Sequence, residues 1–173
     1  EAIAGTYATG EAQFGEPFTM DSPETSIVPV LSADGGDYPD SAPDLDLADR
    51  ACETISNTDE VAGKVALIER GSCPFALKVW NAQQVGAIAV VVHNNSRNGA
   101  DETGTPEDLT NMTADQANLP FDLDDLVIPS VFVAQSTGAA IFENQPAEGF
   151  IRGMLDRDAA LERGDRFRRR GRI

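Results

Sequence analysis

Residues 61–92 read Val-Ala-Gly-Lys-Val-Ala-Leu-Ile-Glu-Arg-Gly-Ser-Cys-Pro-Phe-Ala-Leu-Lys-Val-Trp-Asn-Ala-Gln-Gln-Val-Gly-Ala-Ile-Ala-Val-Val-Val, and this stretch decides the fold. The apolar runs 61–68 and 87–92 predict two strands, and the run 87–92 is typical of a strand that is covered on both faces of its sheet. Residues 74–85 place apolar side chains at helical spacing. A strand, a helix and a strand in this order predict parallel strands joined by a right-handed crossover.

The predicted helix has recognisable ends. Pro74 suits a first helical turn because its missing N–H would have no partner there, and Gly86 ends the helix. Lys78 falls off the apolar face, so we expect it on the polar side of the helix.

Upstream, short β-branched and aromatic segments alternate with turns, and they predict strands at residues 5–8, 17–20 and 26–31. Downstream, residues 94–125 form a polar connection that is too long for a simple loop. Residues 126–133 predict another strand, which Pro129 places at an edge or a bulge. We expect Ser136 to cap a helix that ends at residue 144, and residues 149–155 to form a closing strand.

Size and charge limit the classes of function. The chain has 173 residues, of which 41% are apolar and 24% charged, which suits one globular domain. We place that domain at residues 1–155 and a C-terminal tail at residues 156–173. The net charge of −16 disfavours nucleic acid and anionic membranes as partners. No apolar run has the length, about 18 to 20 residues, that a membrane span needs.

The charge is unevenly distributed, because the body is acidic and the tail is rich in arginine. We expect the tail to be extended or disordered unless a complementary acidic surface binds it, and a second copy of the chain is one such surface. The candidate residues for self-association are Arg166, Arg168, Arg169, Arg170 and Arg172.

The single histidine, His93, excludes zinc hydrolases that use two or three imidazole ligands. It follows an apolar strand with no nucleophile motif nearby, so we expect a strand-end residue rather than a catalytic base. Paired carboxylates for glycoside hydrolysis stay open, because the chain has 29 acids, although its few aromatic side chains offer little surface for sugar rings. No cofactor is expected, although the aspartate-rich stretches 34–49 and 101–125 leave calcium binding open.

The two cysteines, Cys52 and Cys73, admit two interpretations. Cys73 precedes a helix N-terminus, which can lower a thiol pKa, but the even count and the lack of a partner histidine favour a structural disulfide. A disulfide implies an oxidising compartment, and a sequence that starts at Glu1 without a signal peptide agrees with a processed secreted chain. Asn94 and Asn111 head N-glycosylation motifs in predicted loops.

Several spaced elements together resemble the protease-associated domain over residues 52–141. These elements are Gly-Lys-Val-Ala-Leu-Ile (63–68), Arg-Gly-Ser-Cys-Pro-Phe (70–75), Lys-Val (78–79), Asn-Ala-Gln (81–83), Gly-Ala-Ile-Ala-Val-Val-Val (86–92), Asn-Asn (94–95), and Ile-Pro-Ser-Val-Phe-Val (128–133) with the segment 136–141. The resemblance implies an α/β domain whose mixed sheet curls into a sandwich or open barrel with flanking helices.

The same resemblance implies a non-catalytic, extracellular module. Such domains are found in secreted peptidases, where they gate or bind substrate, and in sorting receptors, where they bind peptides. In the receptors the Arg-Gly-x-Cys turn lies in the ligand site, and the matching residues here are Arg70, Gly71, Ser72 and Cys73. A purely structural role for this turn is the alternative. The expected partner is a peptide, a partner domain such as a secreted peptidase, or a second copy of the chain, and the competing function is a self-assembling extracellular subunit.

Overall fold

The structure is a computed structural model that describes residues 7–17, 25–32, 50–95 and 105–144. Its centre is one mixed sheet of five strands in the order β1-β5-β4-β3-β2. The strands are β1 (Gly10–Glu11), β2 (Ile27–Pro29), β3 (Val65–Glu69), β4 (Ala89–His93) and β5 (Ser130–Val133). The predicted strand 149–155, most of the predicted strand 17–20 and the tail lie outside the described residues.

The predicted strand-helix-strand unit is confirmed. β3 pairs in parallel with β4, from Val65 opposite Ala89 to Glu69 opposite His93. All residues of both strands are buried, as the continuous apolar runs indicated. The connecting helix, α2 (Phe75–Gln84), starts directly after Pro74, and Gly86 follows its end with a φ of 84°.

The predicted start of the strand 61–68 was wrong by four residues, because β3 begins at Val65. A short helix, α1 (Thr58–Val61), occupies the position where the sequence indicated the beginning of β3. The chain then turns through Gly63, whose φ of 72° is left-handed, before β3 begins. Val61 belongs to this helix and packs into the apolar core, so the apolar residue at this position indicates burial and not a strand.

Two further corrections concern the strands β5 and β1. β5 lies between β4 and the short antiparallel β1, so the strand after Pro129 is not an edge strand. Pro129 precedes the first ladder residue, and its carbonyl accepts from the N–H of Val90 at 3.0 Å. Tyr7 and Ala8 are not in a strand; β1 forms two residues later at Gly10, where a side chain would overlap the Thr110 carbonyl.

Each face of the sheet carries its own apolar core. On one face, α2 covers a cluster that includes Ile68, Val90 and Phe132. On the other face, α3 (Gln135–Glu143) covers a cluster that includes Leu67 and Val91. The α/β class, with a mixed sheet between flanking helices, is therefore confirmed. Among the described residues, no helix has the length and apolar character that crossing a membrane requires.

The long connection before β5 packs onto the domain over its described part. It contains two short 3-10 helices, Gln116–Asn118 and Leu123–Asp125. Its Glu107 carboxylate accepts from both the N–H and the hydroxyl of Ser136. The expected helix cap at Ser136 was therefore wrong: Ala134 precedes the helix without a side-chain cap, and the capping acceptor comes from the loop.

Candidate functional site

The Arg-Gly-Ser-Cys turn lies at the carboxyl ends of two parallel strands. It leaves β3 and enters α2, and the N–H of Arg70 donates to the carbonyl of His93 at the end of β4, at 2.9 Å. Gly71 and Ser72 have φ values of 118° and 63°, and the N–H of Cys73 donates to the Gly71 carbonyl at 2.8 Å. The carboxyl edge of the strands is the side on which open α/β sheets bind ligands.

The disulfide between Cys52 and Cys73 is present, with a Cα–Cα distance of 5.7 Å. Both cysteines of the chain are used, so neither is a free thiol, and the alternative of a catalytic Cys73 is excluded. The bond joins the turn to the segment 50–52, which the sequence places about twenty positions earlier.

Arg50 is the residue of this site that sequence reasoning missed. Its Nη1 donates to the Ser72 hydroxyl at 2.5 Å, and its Nε lies 3.7 Å from a carboxylate oxygen of Glu69. The Arg50 side chain is 15% exposed and passes beside Gly71. The only sequence signal was indirect, since Arg50 lies two positions before Cys52 and the disulfide brings it to the turn.

Lys78 lies beneath the turn and not on the solvent side of α2, so the expected position was wrong. Its side chain is 0% exposed, and its Nζ donates to the Arg50 carbonyl at 2.5 Å and lies 3.7 Å from Cys52 Sγ. The segment 50–52 covers this side of the helix, and Asn81 also donates to it, at the Ala51 carbonyl. The pKa of Lys78 is lowered to about 7, mainly by burial and also by the Arg50 charge, while the Glu69 charge opposes the shift.

Two asparagines after β4 support the turn from behind. Asn94 accepts from Arg70 Nη1 at 3.3 Å and donates to the carbonyls of Thr105 and Asp108. Asn95 donates to Glu69 Oε1 at 2.7 Å and to the Arg70 carbonyl at 2.9 Å. Of the two N-glycosylation motifs, Asn94 is buried with its amide fully engaged, whereas Asn111 is exposed.

The guanidinium of Arg70 is held on two sides. Besides the bond to Asn94, its Cζ lies 5.8 Å from the centroid of the Phe132 ring, within the range of a cation–π contact. The half-buried side chain is thus restrained in orientation before any ligand arrives.

His93 is the last residue of β4, as predicted, and is 1% exposed. Its Nδ1 lies 2.8 Å from the Asn94 carbonyl, and within the described residues its Nε2 has no hydrogen-bond partner. Burial lowers the pKa of His93. Gly138 of α3 lies so close that any side chain there would overlap the imidazole, which places His93 in the packing between β4 and α3.

The described residues do not test the predictions of calcium binding and of self-association through the tail. Within the described segments, no three His, Cys, Asp or Glu side chains converge as a metal site. The whole aspartate-rich stretch 34–49 lies outside the description, as do all five tail arginines. Calcium binding and self-association through the tail stay predictions.

The chain is similar in sequence to a known domain family and to several known proteins. The family model described as the PA domain matches residues 23–141. The chain belongs to the PA domain family. Its PA-domain relatives include vacuolar-sorting receptor 2 of Arabidopsis thaliana, 32% identical over 150 residues, which are 82% of this chain and 20% of the receptor. C5a peptidase of Streptococcus pyogenes is 32% identical over 124 residues, 72% of this chain and 9% of the peptidase.

A third relative, the ER degradation-enhancing alpha-mannosidase-like protein 3 of Homo sapiens, is 35% identical over 92 residues, 53% of this chain and 9% of the relative. A zinc aminopeptidase from Bacillus subtilis superposes with a TM-score of 0.48 at 18% identity, over 82% of this chain and 26% of the enzyme. The chain thus spans a fifth or less of the three relatives matched by sequence. The PA domain is an accessory part of proteins that include a sorting receptor and a peptidase.

Proposed function

We propose that this chain is a non-catalytic, extracellular protein-interaction module that binds a peptide or a partner domain at the turn 70–73. The receptor and peptidase relatives support the interaction role, because the matched part of each is a small accessory domain. The disulfide supports an oxidising compartment. No cofactor enters this proposal.

The observation that carries the proposal is a concentration of positive charge in an acidic protein. The described residues contain four Lys or Arg side chains: Arg50 and Arg70 lie at the turn, Lys78 lies beneath it, and the fourth is Lys64. The Glu69 carboxylate beside Arg50 offsets one of these charges. The whole chain has a net charge of −16. A local positive site on such a molecule favours a ligand that presents a carboxylate.

Each residue of the turn has a role in this proposal. Arg70 binds the carboxylate with a guanidinium that Asn94 and Phe132 have already oriented, which lowers the entropy cost of binding. Gly71 adopts the φ of 118° that the turn requires and leaves room for the Arg50 side chain, and Ser72 is exposed. Cys73 holds the turn in place through the disulfide.

The test compares wild type with Arg70→Ala on a panel of acetylated hexapeptides, each made with a free C-terminal carboxylate and as the C-terminal amide. Calorimetry should show that Arg70→Ala weakens binding of the carboxylate peptides by about 1 to 3 kcal/mol. Lys64→Ala is the matched control, since it removes a charge away from the turn. Equal affinity of wild type and Arg70→Ala, with both folded by circular dichroism, would refute the role of Arg70.

A second candidate, a self-assembling extracellular subunit, rests on the charge distribution along the sequence. Residues 1–150 hold 25 acids and 5 bases, and residues 151–173 hold 8 arginines and 4 acids. If the tail joins copies head to tail, light scattering should show assemblies at low salt that dissociate at high salt. Deletion of residues 166–173 should then leave monomers, and assemblies that survive the deletion would exclude this candidate.

A further inference from the structure

We propose that Lys78, buried beneath the turn, takes up a proton when a carboxylate binds there, so that ligand affinity rises as the pH falls. This inference rests on the proposed function and adds its regulation. The turn would thus capture an anionic ligand more tightly in a mildly acidic compartment than in an alkaline one.

The position of Lys78 makes it the switch. Its side chain is 0% exposed, it is the only charged residue of α2, and its Nζ donates to the Arg50 carbonyl. Arg50 in turn donates from its guanidinium to Ser72. One short chain of contacts therefore connects the buried amine to the exposed turn.

The groups that face Lys78 come from three elements. Arg50 lies in the segment before the disulfide, Glu69 ends β3 and His93 ends β4. The disulfide cysteines do not titrate. His93 is buried, and the same burial lowers its pKa, which favours the neutral imidazole above pH 6.5.

Among the described residues, the full charges that act on Lys78 are thus one cation, Arg50, and one anion, Glu69. A proton on Lys78 adds a second cation to this pair. A ligand carboxylate on the turn supplies negative charge close to the protonated amine, and the low dielectric of a buried site makes that attraction stronger than in water.

The change falls in the physiological range, because the pKa of Lys78 is lowered to about 7. Reciprocity then applies: a ligand that raises the pKa of Lys78 by about one unit must itself bind about tenfold more tightly to the protonated form. A carboxylate several ångströms away produces a shift of that order.

The first experiment needs no peptide. The chain contains only two lysines, Lys64 and Lys78, so protein grown with ¹³C-labelled lysine gives two side-chain Cε signals. Lys64→Met assigns them, and the half-buried Lys64 serves as the internal reference. We expect the Lys78 signal to titrate with a midpoint near 7 in sodium chloride and at a higher pH in sodium acetate of equal ionic strength.

The second experiment measures peptide affinity at about pH 6 and about pH 8.5 by calorimetry, with the tightest hexapeptide of the panel. Wild type should bind about tenfold more tightly at the lower pH, and Lys78→Met should bind equally at both. Lys64→Met should keep the wild-type dependence, because Lys64 lies at the opposite end of β3.

The outcomes separate the two proposals. A Lys78 midpoint above about 9, or a midpoint that acetate leaves unchanged, overturns the switch without touching peptide binding. Peptide binding whose pH dependence persists in Lys78→Met overturns it as well. If no hexapeptide binds at any pH, the proposed function fails, while the acetate titration still decides whether a carboxylate raises the pKa of Lys78.

Discussion

The two ends of β3 and β4 are built by different means. At the amino end the chain closes on itself through backbone bonds: the N–H of Gly63 donates to the Gly86 carbonyl at 2.8 Å, and the N–H of Ile88 donates to the Lys64 carbonyl at 2.9 Å. At the carboxyl end, side-chain bonds add to the backbone bond from the Arg70 N–H to the His93 carbonyl. Asn95, for example, joins the Glu69 carboxylate and the Arg70 carbonyl.

The difference shows where specific chemistry is required. The amino end needs only a backbone conformation that glycine adopts readily, with φ values of 72° and 84° at Gly63 and Gly86. The carboxyl end needs particular donors and acceptors in particular places. Substitutions at the amino end should therefore change only the stability of the protein. Substitutions at the carboxyl end should also change how that stability responds to redox conditions and pH.

The largest expected effect is the loss of the disulfide at the carboxyl end. The double variant Cys52→Ala/Cys73→Ala should lose about 3 kcal/mol of unfolding free energy, because the bond closes a loop over a sequence separation of 21. Urea unfolding measures the change. A reductant should destabilise wild type by a similar amount and leave the double variant unaffected; a double variant as stable as wild type would contradict the prediction.

A smaller effect is expected from pH. The pKa of Lys78 is about 7 in the folded chain and 10.5 in the unfolded chain, so between these values the unfolded chain binds the extra proton. The unfolding free energy should therefore rise with pH in this window, by about 2 kcal/mol from about pH 7.5 to about pH 9. Below about pH 7 both states are protonated, and this gain is absent.

Lys78→Met supplies the control, since it removes the titrating amine from the buried side of α2. The unfolding free energy of wild type minus that of Lys78→Met should rise with pH across the window. A constant difference would show that Lys78 keeps its proton in the folded chain, and would remove the contrast in pH response between the two ends.

The smallest effect is expected at the amino end. Gly63→Ala should cost about 1 kcal/mol, because the new Cβ meets no atom within 4 Å and only the left-handed backbone is strained. Gly63→Asn should cost less, since asparagine tolerates this conformation better. Thermal unfolding measures both, and peptide affinity should not change in either. A loss of affinity in Gly63→Ala would show that the two ends are coupled.

Local patterns predicted the strand-helix-strand unit because β3, α2 and β4 are specified by contiguous residues. Predictions failed where a distant segment decides the environment. Lys78 looked exposed because the segment 50–52, which covers it, is far away in sequence. Ser136 looked like a cap, but Glu107 of the long connection supplies the acceptor.

The candidate site was predictable only in part. The turn 70–73 and its disulfide partner Cys52 were found from the motif and the cysteine count. Arg50 had no motif of its own, because its role arises from the disulfide that carries its segment to the turn. The lowered pKa of Lys78 follows from burial, which a sequence pattern cannot measure when the covering residues are remote.

The only tryptophan of the chain, Trp80, stacks on Phe121 of the long connection, with ring centroids 4.4 Å apart and planes 6° from parallel. Its fluorescence therefore reports whether that connection is docked on α2. Lys78 lies on the same helix but contacts the segment 50–52. Tryptophan emission and lysine resonances thus give two independent readouts of one helix, so undocking of the long connection can be distinguished from events at the turn in a single lysine-labelled sample.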